Sequence, residues 1–160
     1  MKFNISIITN NQNETMIVGE CLGKTTPPGS VIGLIGNLGT GKTIFTKGIA
    51  KGLQVDEPNS PTFVIMRSYE GNIPLYHFDV YRLSGSAEFE EIGYEEFIYG
   101  SGVSVIEWAD KIDDVLPDNT VIIEISILDE ENENKRKINI KGNEQWLLSF
   151  KNMAEQVLPT

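Results

Sequence analysis

The chain has 160 residues, of which 40% are hydrophobic and 22% charged, and these proportions are those of an ordinary globular domain. We therefore predict that residues 1–160 form one domain. The 23 acidic residues outnumber the 13 basic ones and give a formal net charge of -10 at pH 7. This charge argues against unaided binding to nucleic acid and against adhesion to an anionic membrane, because both require a basic surface. It favours a protein partner with a basic face.

Two further features of the sequence concern the compartment. Cys21 is the only cysteine, so no internal disulfide is possible, and its position in an apolar-periodic stretch predicts a buried thiol. No apolar stretch reaches the roughly 18 residues of a membrane span, and residues 1–14 lack the apolar core of a signal peptide. We therefore expect a cytoplasmic protein.

The N-terminal part of the chain predicts a strand, a helix and a second strand. Apolar residues alternate weakly over residues 2–8, which is typical of a short strand. Residues 15–25 predict a helix that begins at Asn13 or Thr15, and the prolines and glycine at 27–29 end it. The apolar run at 31–35 predicts a buried strand of a parallel sheet.

A glycine-rich segment follows this strand and fits the phosphate-loop pattern G-x-x-x-x-G-K-[ST] at every fixed position. Backbone N–H groups of such a loop surround the phosphates of a nucleotide. Lys42 is expected to reach the β- and γ-phosphates, and the Thr43 hydroxyl to bind Mg²⁺. The candidate nucleotide-binding residues are Gly36, Asn37, Leu38, Gly39, Thr40, Gly41, Lys42 and Thr43.

The segment after this loop predicts a helix. Residues 43–51 carry Ile44, Phe45 and Ile49 on one side, and Gly52 is expected to end the helix. The order of strand, glycine loop and helix is the context that the phosphate-loop pattern requires. The helix N-terminus would add its partial positive charge to the phosphate site.

The middle of the chain predicts a loop and a hairpin. Ser60 and Thr62 flank a proline in a turn-rich connection, where their hydroxyls indicate either a loop that senses the γ-phosphate or a capped turn before a strand. Residues 62–69 and 73–80 predict two strands joined by a turn. The acidic residues 86–99 predict partly helical structure that is broken at Gly93. Within them, residues 88–96 are either a docking surface or a solvated helix.

The C-terminal part predicts three strands and a closing helix. The strands are expected at residues 103–107, 121–128 and 135–140, with a solvated loop between the last two. Residues 144–157 predict a helix whose apolar face belongs to the core. The residues on that face are Trp146, Phe150, Met153 and Val157.

Together these elements predict a three-layer α/β P-loop nucleotidase fold with a mostly parallel central sheet and antiparallel additions. The ligand should lie at the carboxyl ends of the central strands. Two acids end such strands, Asp79 and Glu107, and either is a candidate second ligand of Mg²⁺ beside Thr43. Glu107 follows the more apolar strand, which is expected to be the more central. His77 is the only histidine and cannot build a metal cluster, so a structural role is favoured over proton transfer.

Four motifs occur in order along the chain: the glycine loop at 36–43, SPTF at 60–63, HFDVYRL at 77–83 and IEW at 106–108. Together they resemble the TsaE family, also called YjeE or YdiB, over about residues 15–140. The family consists of small bacterial ATPases required to make threonylcarbamoyladenosine in tRNA. The resemblance implies binding of ATP and Mg²⁺, slow intrinsic hydrolysis, and partnership with the TsaD and TsaB proteins. The resemblance further implies that those partners would perform the carbamoyl transfer and supply most of the tRNA contact, and that the ATPase would reset them between turnovers.

The resemblance also implies roles for individual residues. Thr43 and Glu107 would bind Mg²⁺, and Asp79 would lie beside the metal and the phosphates. Trp108 would lie by the nucleotide, and Arg136 matches a late family arginine near it. Ser60 and Thr62 would fall in a switch-like loop near the γ-phosphate. The expected catalytic residues are Lys42, Asp79 and Glu107. Family members commonly carry Asp and Ala where this chain has Asn37 and Thr40, which is expected to alter affinity without removing the backbone cradle.

Two other functions stay open on the sequence. A small-molecule kinase of this fold often clamps phosphates with several arginines, and this chain has only Arg67, Arg82 and Arg136. A non-catalytic module would use ATP only to support a docking surface. A GTPase is disfavoured because the chain has no Asn-Lys-x-Asp guanine signature.

Overall fold

The computed structural model of the protein describes residues 2–37, 39–56 and 65–158. Leu38 in the glycine loop, and Ser60 and Thr62 in the predicted switch loop, lie outside the described residues. A 3₁₀ segment, Ala109–Val115, follows the fifth strand and has no counterpart in the predicted elements. The other elements, in chain order, are β1 (Lys2–Thr9), α1 (Gln12–Thr25), β2 (Val31–Ile35), α2 (Lys42–Leu53), β3 (Met66–Tyr69), β4 (Leu75–Asp79), α3 (Ser86–Glu91), α4 (Glu95–Ile98), β5 (Val103–Glu107), β6 (Val121–Asp129), β7 (Asn132–Asn143) and α5 (Glu144–Val157).

The strands form one seven-stranded sheet in the order β1-β7-β6-β2-β5-β4-β3. The four central strands, β6, β2, β5 and β4, are parallel to one another. β1, β7 and β3 are added antiparallel at the two sides. This topology confirms the predicted α/β class with a mostly parallel centre and antiparallel additions. It brings the carboxyl ends of β2, β4 and β5 to the same edge of the sheet.

Helices cover the sheet on both faces, which confirms the three-layer arrangement. The larger apolar cluster joins α1, α2 and α5 to one face, through residues such as Leu22, Phe45 and Phe150. The smaller cluster joins α3, α4 and the 3₁₀ segment to the other face, through residues such as Phe89 and Ile112. The strands between them are apolar on both faces because they are buried from both sides.

Helices α1 and α2 make an unusually close contact in which glycines replace side chains. A Cβ atom added at Gly48 would lie 2.2 Å from the backbone oxygen of Met16. On the facing helix, a Cβ atom at Gly19 would lie 2.4 Å from the backbone oxygen of Phe45. Gly23 and Gly52 repeat the arrangement one turn further along. The orientation of α2, which begins in the glycine loop, is therefore determined by backbone-to-backbone packing against α1.

The start of α1 and the end of α2 differ from the predictions, the first because another residue caps the helix and the second because a glycine packs against a neighbouring helix. α1 begins at Gln12 because Asn11, and not Asn13 or Thr15, caps it: the Asn11 Oδ1 atom accepts a hydrogen bond from the Glu14 N–H at 2.9 Å. α2 continues through Gly52 to Leu53 and ends at Gln54, which has a left-handed backbone conformation. Gly52 serves the α1 contact and does not end the helix.

Two further predictions require correction. The polar run 129–134 is mostly strand, because β6 extends to Asp129 and β7 begins at Asn132, which leaves a short turn. Val157 is 52% exposed at the end of α5, whereas Trp146 and Phe150 are buried as predicted and Met153 is partly buried. The break in the acidic segment is confirmed at Gly93, which has a φ of 74° between α3 and α4.

Cys21 is buried in α1, as its surroundings predicted, and burial raises the pKa of its thiol. Among the described residues, no helix is both long and apolar enough to cross a membrane.

Candidate nucleotide site

The glycine loop connects the carboxyl end of β2 to the first turn of α2 at the centre of the sheet. Gly41 precedes the helix with a φ of 113°, and Gly39 has a φ of 80°. L-residues with a Cβ atom rarely adopt these conformations. The space where a Cβ atom of Gly39 would lie is empty to 4 Å. At Gly39 the loop backbone therefore borders an open cleft.

The Lys42 side chain is folded into the loop. It is only 5% exposed, and its Nζ atom donates hydrogen bonds to the backbone oxygens of Gly36, at 2.6 Å, and Asn37, at 2.8 Å. The ammonium also lies 4.0 Å from the centroid of the Trp108 ring, which is a cation–π distance. Burial lowers the pKa of Lys42, and the nearby carboxylates of Glu107, Asp79 and Asp110 oppose that shift.

Trp108 occupies this position because of its backbone. It directly follows β5 and has a φ of 65°, one of two non-glycine residues with positive φ in the described chain. A bulky residue in the left-handed region is strained, and such strain persists only where the surroundings enforce it. The turn places the indole over Lys42 and 4.8 Å from the ring of Tyr81. The two aromatic rings form one wall of the cleft.

Thr43 and Glu107 meet at the base of the cleft. The Thr43 hydroxyl donates a hydrogen bond to Glu107 Oε1 at 3.1 Å, although 64 residues separate the two in the chain. Glu107 is only 4% exposed at the end of β5. The second carboxylate oxygen, Oε2, lies 2.5 Å from Nε2 of His77. A buried carboxylate is thus held between a hydroxyl and an imidazole.

Asp79 lies beside Glu107 but in a different environment. The two residues are paired in the register of the parallel strands β4 and β5. Asp79 is exposed, and its Oδ1 atom accepts a hydrogen bond from the Tyr81 N–H at 3.1 Å. It contacts neither Thr43 nor Glu107 in the hydrogen bonds of the described residues. Of the two candidate acids, Glu107 therefore has the contact expected of a metal-binding partner of Thr43.

The site is a cleft of 330 Å³. Its walls combine the loop backbone, two carboxylates, one ammonium and two aromatic rings. The oxygen atoms of Thr43, Glu107 and Asp79 are the hard donors that Mg²⁺ prefers. The described residues contain no group of three or more His, Cys, Asp or Glu side chains that could enclose a metal. Mg²⁺ usually takes one or two carboxylates together with substrate phosphates and water, and two carboxylates line the cleft. The lining residues are Gln12, Gly39, Gly41, Lys42, Thr43, Ile44, Asp79, Tyr81, Glu107 and Trp108.

Arg136 supports the loop from β7, which β6 separates from β2 in the sheet. Its Nε atom donates to the backbone oxygen of Thr40 at 2.7 Å, and one terminal nitrogen donates to the Gly39 oxygen at 3.4 Å. Thr40 is buried, and its hydroxyl donates to the Asn37 oxygen at 3.0 Å. Arg136 and the Thr40 hydroxyl therefore both stabilise the loop backbone.

Most of the predicted site residues come together in the structure, and one residue outside the prediction joins them. Lys42, Thr43, Asp79, Glu107 and Trp108 all line the one cleft. His77, which the sequence assigned to a structural role, contacts Glu107 directly. The strand pattern does place His77 and Asp79 on one face of β4, but only the register between β4 and β5 shows that Glu107 lies next to them.

The chain matches known proteins over most of its length. The sequence model of the family described as "Threonylcarbamoyl adenosine biosynthesis protein TsaE" matches residues 9–138. The chain belongs to the TsaE family. A tRNA threonylcarbamoyladenosine biosynthesis protein TsaE of Treponema pallidum is 42% identical over 122 residues, which are 76% of this chain and 90% of that protein. The TsaE protein of Bacillus subtilis is 44% identical over 119 residues, or 73% of this chain and 74% of that protein.

A solved structure supports the same assignment. The crystal structure of Bacillus subtilis YdiB aligns with a TM-score of 0.79 at 31% identity, over 98% of this chain and 97% of that one. The resemblance deduced from the motifs is confirmed by these matches, and so is the fold. The role of the TsaE family is in the biosynthesis of threonylcarbamoyladenosine in tRNA.

Proposed function

We propose that this TsaE protein is a Mg²⁺-dependent ATPase that hydrolyses ATP to ADP and phosphate and thereby supports the TsaB and TsaD proteins in tRNA modification. The observation that carries the proposal is the contact between Thr43 and Glu107 beneath the glycine loop. A P-loop hydroxyl and a strand-end acid in contact are the pair that holds the metal in nucleotidases of this class. Lys42 lies in the same cleft, where a phosphate chain would meet it.

The side chains around the cleft divide the work of hydrolysis between them. The backbone N–H groups of the loop and the Lys42 ammonium would bind the β- and γ-phosphates and stabilise the charge of the transferring group. Thr43 and Glu107 would hold Mg²⁺, which would neutralise charge on the phosphate oxygens. Asp79 is exposed at the mouth of the cleft and would orient the attacking water. Trp108 and Tyr81 would limit the access of solvent from one side.

Partners would complete the site. Activators of P-loop enzymes commonly supply a missing cationic group, so hydrolysis by the protein alone is expected to be slow. The net charge of -10 favours a basic partner surface and leaves the tRNA contact mainly to TsaB and TsaD. The exposed acidic residues between 88 and 96 are a candidate for that docking surface. We place this reaction in the cytoplasm, with the tRNA.

The deciding experiment is steady-state hydrolysis of ATP with Mg²⁺ by the protein alone and with purified TsaB and TsaD. We expect a clear rise with the partners that is lost in Lys42→Ala. Lys47→Ala is the matched control, because Lys47 is an exposed lysine of the same helix and does not line the cleft. Near-normal activity of Lys42→Ala would refute the mechanism.

Other outcomes would favour the two remaining functions. If ATP binds and the complex forms without any rise in hydrolysis, the result favours a non-catalytic module and reopens the kinase alternative. In that case a non-hydrolysable ATP analogue should support repeated partner turnover as well as ATP does. A phosphorylated small molecule formed from candidate acceptors would instead indicate a kinase.

A further inference from the structure

The imidazole of His77 is an unusual group for the interior of a sheet. His77 lies in the middle of β4, is 9% exposed, and is paired with Val105 of β5 and Arg67 of β3. Its Nε2 atom contacts Glu107, whereas its Nδ1 atom is buried without a hydrogen-bond partner in the described part of the chain. Leaving a buried polar atom unpaired is unfavourable. Only the contact through Nε2 offsets this cost within the described structure.

The contacts of Glu107 give each carboxylate oxygen one donor. The Thr43 hydroxyl donates to Oε1 at 3.1 Å, and the imidazole N–H of His77 donates to Oε2 at 2.5 Å. Two donors on opposite oxygens fix both the position and the rotation of the carboxylate plane. Since Glu107 is only 4% exposed, water cannot readily take the place of His77 if that side chain is removed.

His77 does not itself line the cleft, so it would not touch the nucleotide or the reacting atoms. The ring of His77 lies 6.5 Å from the ring of Tyr69, which does not line the cleft either. Side chains that stand behind a ligand in this way orient it, and their loss typically weakens metal binding about 10- to 100-fold.

We propose that His77 is a positioning residue, which acts through Glu107 and holds the carboxylate in the orientation that receives Mg²⁺ together with Thr43. This inference rests on the proposed function, because it assigns a supporting residue to the same metal site. It departs from the purely structural role that the sequence favoured. The role requires a donor at the position of Nε2 and requires nothing of Nδ1.

Two substitutions at position 77 distinguish the effect of the Nε2 hydrogen-bond donor from the effect of the rest of the imidazole ring. His77→Gln keeps an N–H group at about the reach of Nε2, whereas the shorter side chain of His77→Asn cannot reach Glu107. Val105→Ala is the matched control, since Val105 is the fully buried cross-strand partner of His77 and makes no contact with the Glu107 carboxylate. It removes packing from the same place and leaves the donor intact.

Binding of a non-hydrolysable ATP analogue to the full chain is measured by calorimetry at increasing Mg²⁺ concentrations. The value compared between variants is the Mg²⁺ concentration that gives half of the maximal increase in affinity. We expect His77→Asn to raise that concentration about 10-fold or more, with metal-free binding of the analogue unchanged. His77→Gln should restore most of the loss, and Val105→Ala should match the wild type. The inference is overturned if His77→Asn behaves like Val105→Ala, or if His77→Gln rescues nothing.

A second measurement needs no variant at position 77 and remains decisive if His77→Asn does not fold. His77 is the only histidine, so its ring nitrogen signals in NMR spectra of the ¹⁵N-labelled protein can be assigned directly. We expect the proton on Nε2, and a shift of that signal when Mg²⁺ and the analogue are added together. An Nε2 atom that carries no proton, or a signal that does not change when the metal is added, overturns the inference. If analogue binding by the wild type does not depend on Mg²⁺ at all, the proposed function falls and the inference falls with it.

Discussion

Glycines serve opposite purposes in the loop before helix α2 and within the helix itself. At its N-terminus, Gly39 and Gly41 have positive φ values and border an open cleft, and the space beside Gly39 is empty to 4 Å. Further along, Gly48 and Gly52 are pressed against α1, where an added Cβ atom would lie 2.2 Å from a backbone oxygen at each position. The first pair leaves room for a ligand, and the second pair allows the two helices to approach.

This contrast shows how the cleft can be both open and rigid. The loop borders the open cleft, and the helix that follows it is held against α1 through Gly48 and Gly52. Lys42 and Thr43 are the first two residues of that helix, so their positions follow from the helix packing. Substitutions in the cleft should therefore change ligand binding and hydrolysis, whereas substitutions between the helices should first change stability.

The largest effect is expected in the cleft, at Glu107. Glu107→Ala should lower Mg²⁺-dependent hydrolysis about 100- to 1,000-fold, because it removes the carboxylate that contacts Thr43. Steady-state hydrolysis over a range of Mg²⁺ concentrations measures this loss, with thermal unfolding as the check on folding. Asp79→Ala is the paired variant and should retain the Mg²⁺ dependence while lowering the maximal rate. If only Asp79→Ala loses the Mg²⁺ dependence, the assignment of the metal ligand is wrong.

The next effect is expected between the helices, at Gly48. Gly48→Ala should lower the free energy of unfolding by about 2–3 kcal/mol, as over-packing typically does, although alanine favours helices more than glycine. This loss corresponds to a fall in melting temperature of about 4–12 °C for a domain of this size. Gly85→Ala is the control, because Gly85 has an extended backbone and no atom within 4 Å of an added Cβ. Equal melting temperatures for the two variants would contradict the packing account.

The smallest effect is expected where the loop is supported from outside, at Arg136. Arg136→Gln should weaken ATP binding about 5- to 10-fold, since it removes the hydrogen bonds to the Thr40 and Gly39 oxygens that hold the loop backbone. Calorimetric titration with ATP measures the change. Lys137→Gln, one residue along β7 and exposed, should bind ATP like the wild type. A Lys137→Gln variant as weak as Arg136→Gln would show that only the lost positive charge matters.

Local sequence patterns predict a structural element correctly where neighbouring residues alone define it. The apolar strand β2, the glycine loop and the first turn of α2 follow one another in the sequence, so their order is predicted without knowledge of the rest. Asp79 and Glu107 were recognised because each ends an apolar strand. Gly52 was misread for the same reason, since a local pattern cannot distinguish a glycine that ends a helix from one that packs against another helix.

The sequence alone therefore determined the class of fold, the position of the glycine loop between β2 and α2, and the family resemblance, because these depend on the spacing of neighbouring residues. Tertiary structure alone decided three things: that His77 lies against Glu107, that Arg136 supports Thr40 from 96 residues away, and that glycines join α1 to α2. Each depends on strand register or on the approach of distant elements. Such contacts produce no periodic pattern in the sequence, because they are set by the packing of the whole sheet and its helices.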